Sequence, residues 1–478
     1  MTATSDAFWI TRNPVGRGRD WLQSRRRTDA PRPPGPRGRP FVGVLPEYKA
    51  DPFGYLRHLG DVYGDIYRVP LPLCDMVVVN NPDHVGHIMN CRQGEYANTV
   101  GPGAGIARIA MGASMAMLDG EKFRQRRKLL APMFGRRQLI DIAGCLADEF
   151  AKRLARWDRF AESGEPIDLQ QELPGVIMPA FMRTMFSLEM DDAELHQIDA
   201  DVGTWLNAYT LAFLSPLSQL LREIPNVLQA WLRVQRWVKR LVDERLADDR
   251  PYDDMLQVIL DAHRQDGRSI TRRDVVTEIM VLMGGGWESV ASTLAVTLGA
   301  LPQNSQAQQR LYDEVDQLGG AVPTFDDLDR LQWAKACFDE GLRLQGTPFL
   351  LRFATVHDVM GGYRIRRGNL IGVSLYALQR DSRWWGPDAD TYDPVRFYDK
   401  DIVAARPNLA FIPFGAGPHR CFGATMGYIS AQFLLAQLHQ RFRVQIPPDW
   451  VARHDPRVPW PIKGDVPAVL TKVAAAAN

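Results

Sequence analysis

The spacing of apolar residues along the chain predicts a mainly helical protein. From residue 119 to residue 345, apolar positions recur at intervals of three and four, which is typical of helices that bury one face. The clearest of these helices are Arg124–Met133, Ile140–Trp157, Val227–Leu246 and Tyr252–Arg264. The same pattern predicts a last helix at Ala424–Arg441, close to the C-terminus.

Short strands are predicted where β-branched and aromatic residues cluster between turn residues, on both sides of the helical region. The predicted strands are Asp65–Val69, Asp75–Asn80, Phe349–Thr355, Tyr363–Ile365 and Leu370–Leu375. Residues 462–473 predict a hairpin that turns at Gly464 and Asp465. The predicted fold class is therefore mainly α with small β-sheets.

The only predicted boundary in the chain lies near its N-terminus. Residues 31–43 are too rich in proline and glycine for a helix or a strand, and they predict a stiff, extended lead-in. We therefore predict a basic, proline-rich segment at residues 1–45 and one single domain at residues 46–478.

Charge and cysteine usage make several classes of protein improbable. The 57 basic and 56 acidic residues give a net charge of +1, so no nucleic-acid partner is expected. Five widely spaced cysteines suit neither a disulfide framework nor a zinc site, and they favour a reducing, cytoplasmic compartment. The N-terminal residues contain neither a signal peptide nor the apolar run of about 18 residues that spans a bilayer. We expect no transmembrane anchor, although the basic N-terminus suits peripheral contact with an acidic membrane.

One cysteine, Cys421, lies in an unusual setting. Residues 414–423 read Phe-Gly-Ala-Gly-Pro-His-Arg-Cys-Phe-Gly, which predicts a tight loop just before the last helix. Such a loop points backbone amides at the sulfur, and the helix adds its positive N-terminal end, so a thiolate is favoured. These features alone leave open both a metal-bound thiolate and an inert cysteine in a glycine-rich turn.

The loop resembles the haem-binding signature of the cytochrome P-450 family, F-x-x-G-x-[RH]-x-C-x-G, at every defined position. The matching residues are Phe414, Gly417, His419, Cys421 and Gly423. The resemblance extends over residues 33–470 and implies one haem-binding catalytic domain with a long central helix over the haem. It implies haem b (iron protoporphyrin IX) as cofactor, with Cys421 as axial ligand to the iron and with Phe414 and Gly415 beside the haem.

Two further motifs of the family follow in the expected order. Glu340 and Arg343 match E-x-x-R, and residues three apart on a helix share a face, so the two side chains can pair. Residues 394–397 are similar to P-x-R-F, which places Arg396 in the same group. The resemblance implies a buried structural network on the haem side, whereas E-x-x-R by itself is also typical of an exposed ion pair.

The predicted helix from Thr271 to Leu301 contains three consecutive glycines at residues 284–286, and each costs about 1 kcal/mol relative to alanine. They are consistent either with a loop between two helices or with the widened groove in which family members bind O₂. The sequence that follows resembles [AG]-G-x-[DE]-T, with Ser289 in place of threonine. The resemblance implies catalytic roles for both residues: the Ser289 hydroxyl donates to the oxygen, and Glu288 relays protons from solvent.

The resemblance also implies cations for the two haem propionates, because buried carboxylates need donors or positive charge. By position these are His419, Arg352 and Arg127. Phe123 stands where the family usually has histidine or tryptophan, which removes one hydrogen bond, and Arg124 is a candidate to replace it.

The expected reaction is insertion of one atom of O₂ into a hydrophobic molecule such as a terpene, steroid, fatty acyl or polyketide-like compound. Electrons are expected from a separate ferredoxin- or flavodoxin-type protein, docked on exposed basic residues. The alternatives are a haem-thiolate peroxygenase or isomerase, and a haem-binding protein without catalysis. The predicted docking residues are 124–128, Arg136, Arg137 and Arg420. The predicted substrate contacts are residues 100–117, 205–214, the surroundings of Met283, residues 347–351 and the surroundings of Trp460.

Overall fold

The computed structural model describes residues 29–71, 75–90, 95–98, 114–207, 217–267, 270–457 and 460–473, with the backbone alone at residues 90 and 217–221. In the first half, the helices alternate with three short strands and then run almost without interruption. They are α1 (Leu45–Ala50), α2 (Pro52–Tyr63), α3 (Pro82–Asn90), α4 (Gly120–Leu130), α5 (Arg136–Ala155), α6 (Asp158–Ser163), α7 (Leu169–Glu172), α8 (Pro174–Phe186), α9 (Asp192–Leu206), α10 (Leu217–Ala247) and α11 (Met255–Gln265).

The second half contains the longest buried helices and most of the strands. Its helices are α12 (Arg272–Gly286), α13 (Glu288–Ala300), α14 (Ser305–Asp316), α15 (Gln332–Gln345), α16 (Leu375–Leu378), α17 (Ser382–Trp385), α18 (Val395–Tyr398), α19 (Lys400–Ala405) and α20 (Ala424–Arg441). The five helices Arg124–Met133, Ile140–Trp157, Val227–Leu246, Tyr252–Arg264 and Ala424–Arg441 are confirmed. Their ends differ from the prediction by at most four residues, except that α10 begins ten residues earlier, at Leu217.

Three small sheets lie against this helical body. The largest has five strands in the order β1-β2-β8-β5-β3, and the others are β4-β10-β9 and the hairpin β6-β7. The strands are β1 (Ile66–Pro70), β2 (Asp75–Val79), β3 (Tyr96–Ala97), β4 (Ile167–Asp168), β5 (Phe349–Ala354), β6 (Asp358–Met360), β7 (Tyr363–Ile365), β8 (Leu370–Ser374), β9 (Phe442–Gln445) and β10 (Pro467–Lys472). The predicted class, mainly α with small sheets, is confirmed.

The core of the molecule lies around α13 and α20, which are mostly apolar and are surrounded by other elements on nearly all sides. Residues 290–300 of α13 are buried without exception, and α20 is buried along nearly its whole length. A helix that is apolar all round is stable only when other elements surround it. These two helices therefore form the centre of the fold, and the loop that contains Cys421 leads directly into α20.

The predicted C-terminal hairpin is wrong. Residues 467–472 form β10, but β10 pairs with β9, directly after α20, in the register Leu470↔Val444. Residue Ile462 makes only an isolated bridge to His454. The reason is burial: Ala468, Leu470 and Val444 share one face of the sheet that packs on the core, which a local hairpin could not cover.

The segment before α1 is hydrogen-bonded to the first sheet. The Arg68 amide donates to the Pro34 carbonyl (2.7 Å), and the Val44 amide donates to the Pro70 carbonyl (2.9 Å). The division at residue 45 stays a prediction, and residues 1–28 lie outside the described residues. Within the described part, one helical stretch, Arg272–Gln303, is long and apolar enough to cross a membrane, and it is largely buried inside the protein.

Candidate active site

The loop before α20 has the backbone geometry that its glycines require. Gly415 and Gly417 have φ angles of +71° and +67°, a region that side chains with a Cβ rarely adopt. The loop closes on itself, because the Cys421 amide donates to the Phe414 carbonyl at 2.7 Å. The sulfur is thereby held at a fixed place, three residues before the first turn of α20.

Backbone N–H groups surround the sulfur of Cys421. Burial raises the pKa of this thiol, whereas hydrogen bonds from the Gly423 and Ala424 amides and the charge of Arg127 lower it. The side chain is nonetheless exposed on one side of the loop. An accessible sulfur with convergent N–H donors and a nearby guanidinium suits a thiolate ligand.

His419 lies in a group of polar residues next to the loop. Its Nε2 is 3.2 Å from Asp119, and its Nδ1 is 2.9 Å from the Asn98 side-chain amide. Phe123 stacks on the imidazole with ring centroids 3.9 Å apart. The aromatic ring at position 123 therefore packs against His419, and the hydrogen-bond donor that family members usually have at this position is missing.

The structure brings Arg127 to the same place. Its Nη1 donates to the Arg420 carbonyl at 2.9 Å, and its guanidinium lies 5.2 Å from the centre of the Phe422 ring. Burial lowers its pKa, and the negative charge of an ionised Cys421 raises it. Arg127 is thus a cation close to the predicted thiolate.

Arg352 approaches this group from the sheet. It lies on β5, where β3 pairs with β5 in the register Ala97↔Phe353. Continuing that register places Asn98, the partner of His419, opposite Arg352. The half-buried guanidinium donates to the Leu351 carbonyl at 2.8 Å. His419 and Arg127 therefore lie beside the cysteine loop, and Arg352 lies on the sheet opposite Asn98, the residue that contacts His419.

The prediction that all of residues 124–128 form an exposed docking face is wrong for Arg126. Its side chain is buried and forms an ion pair with Glu278 of α12 at 2.9 Å. The reason is helical spacing, because Arg126 shares a face of α4 with the buried residues Phe123 and Leu130. Burial raises the pKa of Glu278 to about 7 in spite of Arg126. The neighbouring Arg124 is exposed and pairs with Glu121 instead of approaching His419.

Glu340 and Arg343 form a buried ion pair. Both side chains are fully buried, and Arg343 Nε and Nη2 each lie 2.7 Å from a Glu340 carboxylate oxygen. Arg396 joins them, with Nε 3.6 Å from Glu340 and Nη2 2.7 Å from Asp388. The three residues that the motifs singled out are thus in contact.

Hydrogen bonds connect this group to the cysteine loop. Arg343 donates to the Gln379 carbonyl at 2.7 Å, and the Gln379 side-chain oxygen accepts from the Ile412 amide at 3.4 Å. The Ile412 carbonyl in turn accepts from the Gly415 amide at 2.9 Å. The buried network and the loop with Cys421 therefore form one hydrogen-bonded unit.

The predicted helix Thr271–Leu301 is broken at one residue, Trp287. It begins as predicted, because Thr271 caps α12 and forms a capping box with Asp274. At Trp287 φ is −128° and ψ is −41°, which ends α12 and begins α13. The break directly follows the three glycines. The Phe181 ring packs against Gly286 so closely that an added Cβ would lie 2.2 Å from it, so only glycine fits at this position.

Glu288 and Ser289 are the first residues after the break. One carboxylate oxygen of Glu288, Oε2, is buried without a hydrogen-bond partner among the described residues. Burial, reinforced by Asp199, raises the pKa of this carboxyl to about 7, although Arg457 lowers it. A carboxyl with this pKa can both hold and release a proton near neutral pH.

A polar cleft adjoins Glu288. It has a volume of about 520 Å³, and polar residues of α9 and α10 line it together with Arg457. Its lining is polar and its volume is large enough for several water molecules. Ser289 is exposed, and its hydroxyl donates weakly to the Gly285 carbonyl at 3.4 Å. The cleft therefore connects Glu288 with solvent.

The predicted substrate contacts are only partly described. Residues 100–113 and 208–214 lie outside the described residues, while Trp205 and Met283 are buried. Trp460 has a φ of +76°, and its carbonyl accepts hydrogen bonds from Ser292 at 3.0 Å and from Gln345 at 3.2 Å. Two central helices, α13 and α15, thus hold this strained residue in place.

The residues around Cys421 fit a haem-thiolate centre. The loop supplies one accessible sulfur with N–H donors, and the basic residues beside it suit the two carboxylates of the porphyrin. Val290 of α13 packs close to Gly427 in the first turn of α20. A Cβ atom added to Gly427 would lie 3.8 Å from the Val290 side chain. The fold and the site together define a haem-thiolate oxygenase.

Comparison with known proteins identifies the family. A sequence model of the cytochrome P-450 family matches residues 33–463, so the chain belongs to that family. It is a cytochrome P-450 monooxygenase, an oxidoreductase with a haem-thiolate cofactor. Its fold is similar to the crystal structure of the cytochrome P-450DA haem domain, with a TM-score of 0.82 at 20% identity over 93% of this chain and 98% of that chain.

Several curated relatives act on terpenoids according to their names. Cyclooctat-9-en-7-ol 5-monooxygenase of Streptomyces melanosporofaciens is 25% identical over 71% of this chain and 74% of its own length. Pentalenene oxygenase of Streptomyces avermitilis is 26% identical over 86% of this chain and 90% of its own length. Carotene epsilon-monooxygenase of Arabidopsis thaliana is 27% identical over 90% of this chain and 85% of its own length.

Sequence reasoning missed several residues of the site. Asn98 and Asp119 hold His419, whereas Asp199 and Arg457 lie near Glu288. Asp119 was detectable, because it directly precedes α4, the helix whose residues Phe123 and Arg127 the family resemblance singles out. Asp199 lies 88 residues from Trp287, to which it is hydrogen-bonded, and no local pattern marks it.

Proposed function

We propose that this monooxygenase inserts one atom of O₂ into a hydrophobic, terpenoid-like molecule, with haem b as cofactor and with electrons from a separate ferredoxin- or flavodoxin-type protein. The haem supplies oxygen activation when it is bound. The observation that supports a role in O₂ chemistry is the Glu288 carboxyl beside Ser289 at the helix break, since its Oε2 is buried without a hydrogen-bond partner among the described residues. The terpenoid names of several relatives favour terpenoids within the predicted substrate range, which includes steroids, fatty acyl and polyketide-like molecules.

In the proposed mechanism, Cys421 would hold the iron, and His419, Arg352 and Arg127 would bind the propionates, with Phe414 and Gly415 beside the haem. Glu288 holds a proton near neutral pH and passes it toward Ser289. Water in the polar cleft then restores the proton to Glu288. Glu340, Arg343 and Arg396 keep the cysteine loop in place without touching the substrate.

Turnover of a terpenoid panel under ¹⁸O₂ tests this function. Product that carries one ¹⁸O atom and depends on NAD(P)H and a reductase supports a monooxygenase. Product formed with peroxide but not with O₂ and the reductase indicates the alternative peroxygenase, and conversion without oxygen incorporation indicates an isomerase. Haem binding without any turnover across the panel indicates a non-catalytic haem protein.

We expect Glu288→Gln to lower product formation by about 10²-fold, because the amide cannot relay a proton. It should also alter stability. The folded-state pKa of about 7 lies above the ordinary 4.5, so the folded wild type binds more protons and loses stability as pH rises from 4.5 through 7. The variant lacks this loss, so above pH 7 it should be more stable than wild type by at most about 3 kcal/mol.

Product assays and denaturant unfolding at pH 4.5 and pH 8 measure both effects. The exposed Glu194→Gln on α9 serves as a matched control, since it makes the same change of carboxylate to amide away from the break. Equal product formation in wild type and Glu288→Gln would remove the proposed proton relay.

We place the electron-transfer partner on the exposed basic residues next to Cys421. Lys128, Arg136, Arg137 and Arg420 are exposed, and Arg420 directly precedes Cys421. For Lys128→Glu with Arg137→Glu we expect the KM for an acidic reductant to rise about tenfold, because charge steers association. The spectrum and peroxide-supported turnover should stay as in wild type. Lys239→Glu on α10 is the control, and equal effects of both changes would contradict a specific docking face.

The cytoplasmic location, with peripheral membrane contact by the basic N-terminus, also stays a proposal. Fractionation of cells that produce the full chain tests it directly. Recovery in the soluble fraction supports the cytoplasm, and recovery in the membrane fraction that high salt releases supports peripheral contact.

A further inference from the structure

A single hydrogen bond anchors the helix break to a neighbouring helix. The Trp287 indole Nε1 donates to Asp199 Oδ1 of α9 at 2.7 Å. The indole is fully buried and packs against Phe181 of α8, with ring centroids 5.7 Å apart. The hydrogen bond to Asp199 and the contact with Phe181 together restrict the buried indole to one orientation. They therefore also restrict the backbone at the break.

The anchor has a direct consequence for Glu288, which follows Trp287 and begins α13. Asp199 and Gly203 of α9 and Asn207, which directly follows α9, are spaced four residues apart and so share a face. Gly203 and Asn207 line the polar cleft together with Glu288. The bond between Trp287 and Asp199 therefore ties the start of α13 to the helix that forms the cleft wall.

We propose that Asp199 is a positioning residue for Glu288: through the Trp287 indole it holds the helix break in the geometry that turns the Glu288 carboxyl toward the polar cleft. This inference rests on the proposed role of Glu288 in proton transfer. Trp287 occupies the variable position x of the [AG]-G-x-[DE]-T pattern, to which the pattern assigns no role. The proposal gives Trp287 the role of connecting Asp199 to the helix break.

The charges around the two carboxyls agree with this arrangement. Burial raises the pKa of Asp199, while the Trp287 N–H and the exposed His196 lower it. On the other side of the cleft, Arg457 is paired with Asp455 at 2.8 Å and remains close enough to lower the pKa of Glu288. Asp199 acts in the opposite direction and favours the protonated Glu288 that a proton donor requires.

The test compares two tryptophan variants of the full haem-loaded protein. Trp287→Phe keeps an aromatic ring against Phe181 but removes the N–H donor. Trp237→Phe is the matched control, because Trp237 of α10 donates an equivalent bond to Glu194 of the same helix α9, at 2.8 Å. Two quantities are measured: product formed per electron consumed, and the infrared titration of the Glu288 carboxyl, assigned through its absence in Glu288→Gln.

For Trp287→Phe we expect the infrared midpoint to fall from about 7 toward the ordinary carboxyl value, because the released carboxyl leaves the position in which burial and Asp199 raise its pKa. Product per electron should fall several-fold, and Trp237→Phe should change neither quantity. An unchanged midpoint and unchanged coupling in a folded Trp287→Phe variant would overturn the inference.

Two substitutions of Asp199 give an independent test if Trp287→Phe fails to fold. Asp199→Asn retains an oxygen that accepts from the indole, whereas Asp199→Ala removes the acceptor. We expect coupling to be lost in Asp199→Ala and largely retained in Asp199→Asn, and equal coupling in both would contradict a positioning role. The infrared midpoint does not depend on turnover, so it shows the anchoring effect even if the proposed O₂ chemistry fails.

Discussion

Replacing Cys421 with alanine should abolish the red-shifted Soret band of the reduced carbon monoxide complex and reduce product formation below detection. The reason is specific to this loop: the sulfur is the proposed iron ligand, and the Gly423 and Ala424 amides and Arg127 favour its thiolate form. Alanine removes the donor but leaves the glycine-dependent turn and the start of α20 intact. The folded variant would therefore retain its helices while losing the electronic effect that favours O–O cleavage.

Cys145→Ala is the matched control for this experiment. Cys145 is half-buried on α5, outside the glycine-rich loop, and its thiol lies near Thr184 and Arg183 of α8, so its replacement should not influence the haem. Its variant should keep the red-shifted band. A wild-type protein without that band, or a Cys421→Ala variant that keeps it, would contradict the assignment of Cys421 as the iron ligand.

The cysteine loop could be predicted from sequence because all its information is local. Its glycines at 415 and 417 need positive φ angles, and its cysteine directly precedes a helix, so spacing alone specifies the geometry. The pairing of Glu340 with Arg343 was predictable for the same reason, since one turn of helix brings them together. Their burial and the contact with Arg396 depended on the family resemblance.

Features that depend on distant contacts were not predictable. Trp287, at the helix break, contacts Asp199 and Phe181, which are distant in sequence. The strand at residues 467–472 pairs with β9, which directly follows α20, and does not form a local hairpin. The burial of Arg126, in contrast, could have been predicted from the sequence. Phe123, Arg126 and Leu130 have the spacing of one helical face, which shows that a basic run can contain a buried position.

The second large effect concerns the buried ion pair of α15. For Arg343→Ala we expect a loss of about 3–5 kcal/mol in the free energy of unfolding. The buried Glu340 carboxylate would lose both hydrogen bonds from Arg343 and keep the more distant Arg396, at 3.6 Å. Arg343 also donates to the carbonyls of Gln379, Ala389 and Thr391, and these acceptors would lose their donor as well. Since Gln379 accepts from the Ile412 amide, the cysteine loop should loosen and haem retention should fall together with stability.

Denaturant unfolding and haem content measured on the same samples test this prediction, with the exposed pair Asp261 and Arg264 as control. That pair has the same three-residue spacing on α11, but water screens both side chains, so Arg264→Ala should cost at most about 1 kcal/mol. A double change of Glu340→Leu with Arg343→Met separates charge from hydrogen bonding. It removes the unpaired carboxylate but leaves three carbonyls without donors, so it should restore stability only in part. Full restoration would show that the loss in Arg343→Ala comes from the unpaired Glu340 carboxylate and not from the lost hydrogen bonds. No loss in Arg343→Ala would refute the structural role of the network.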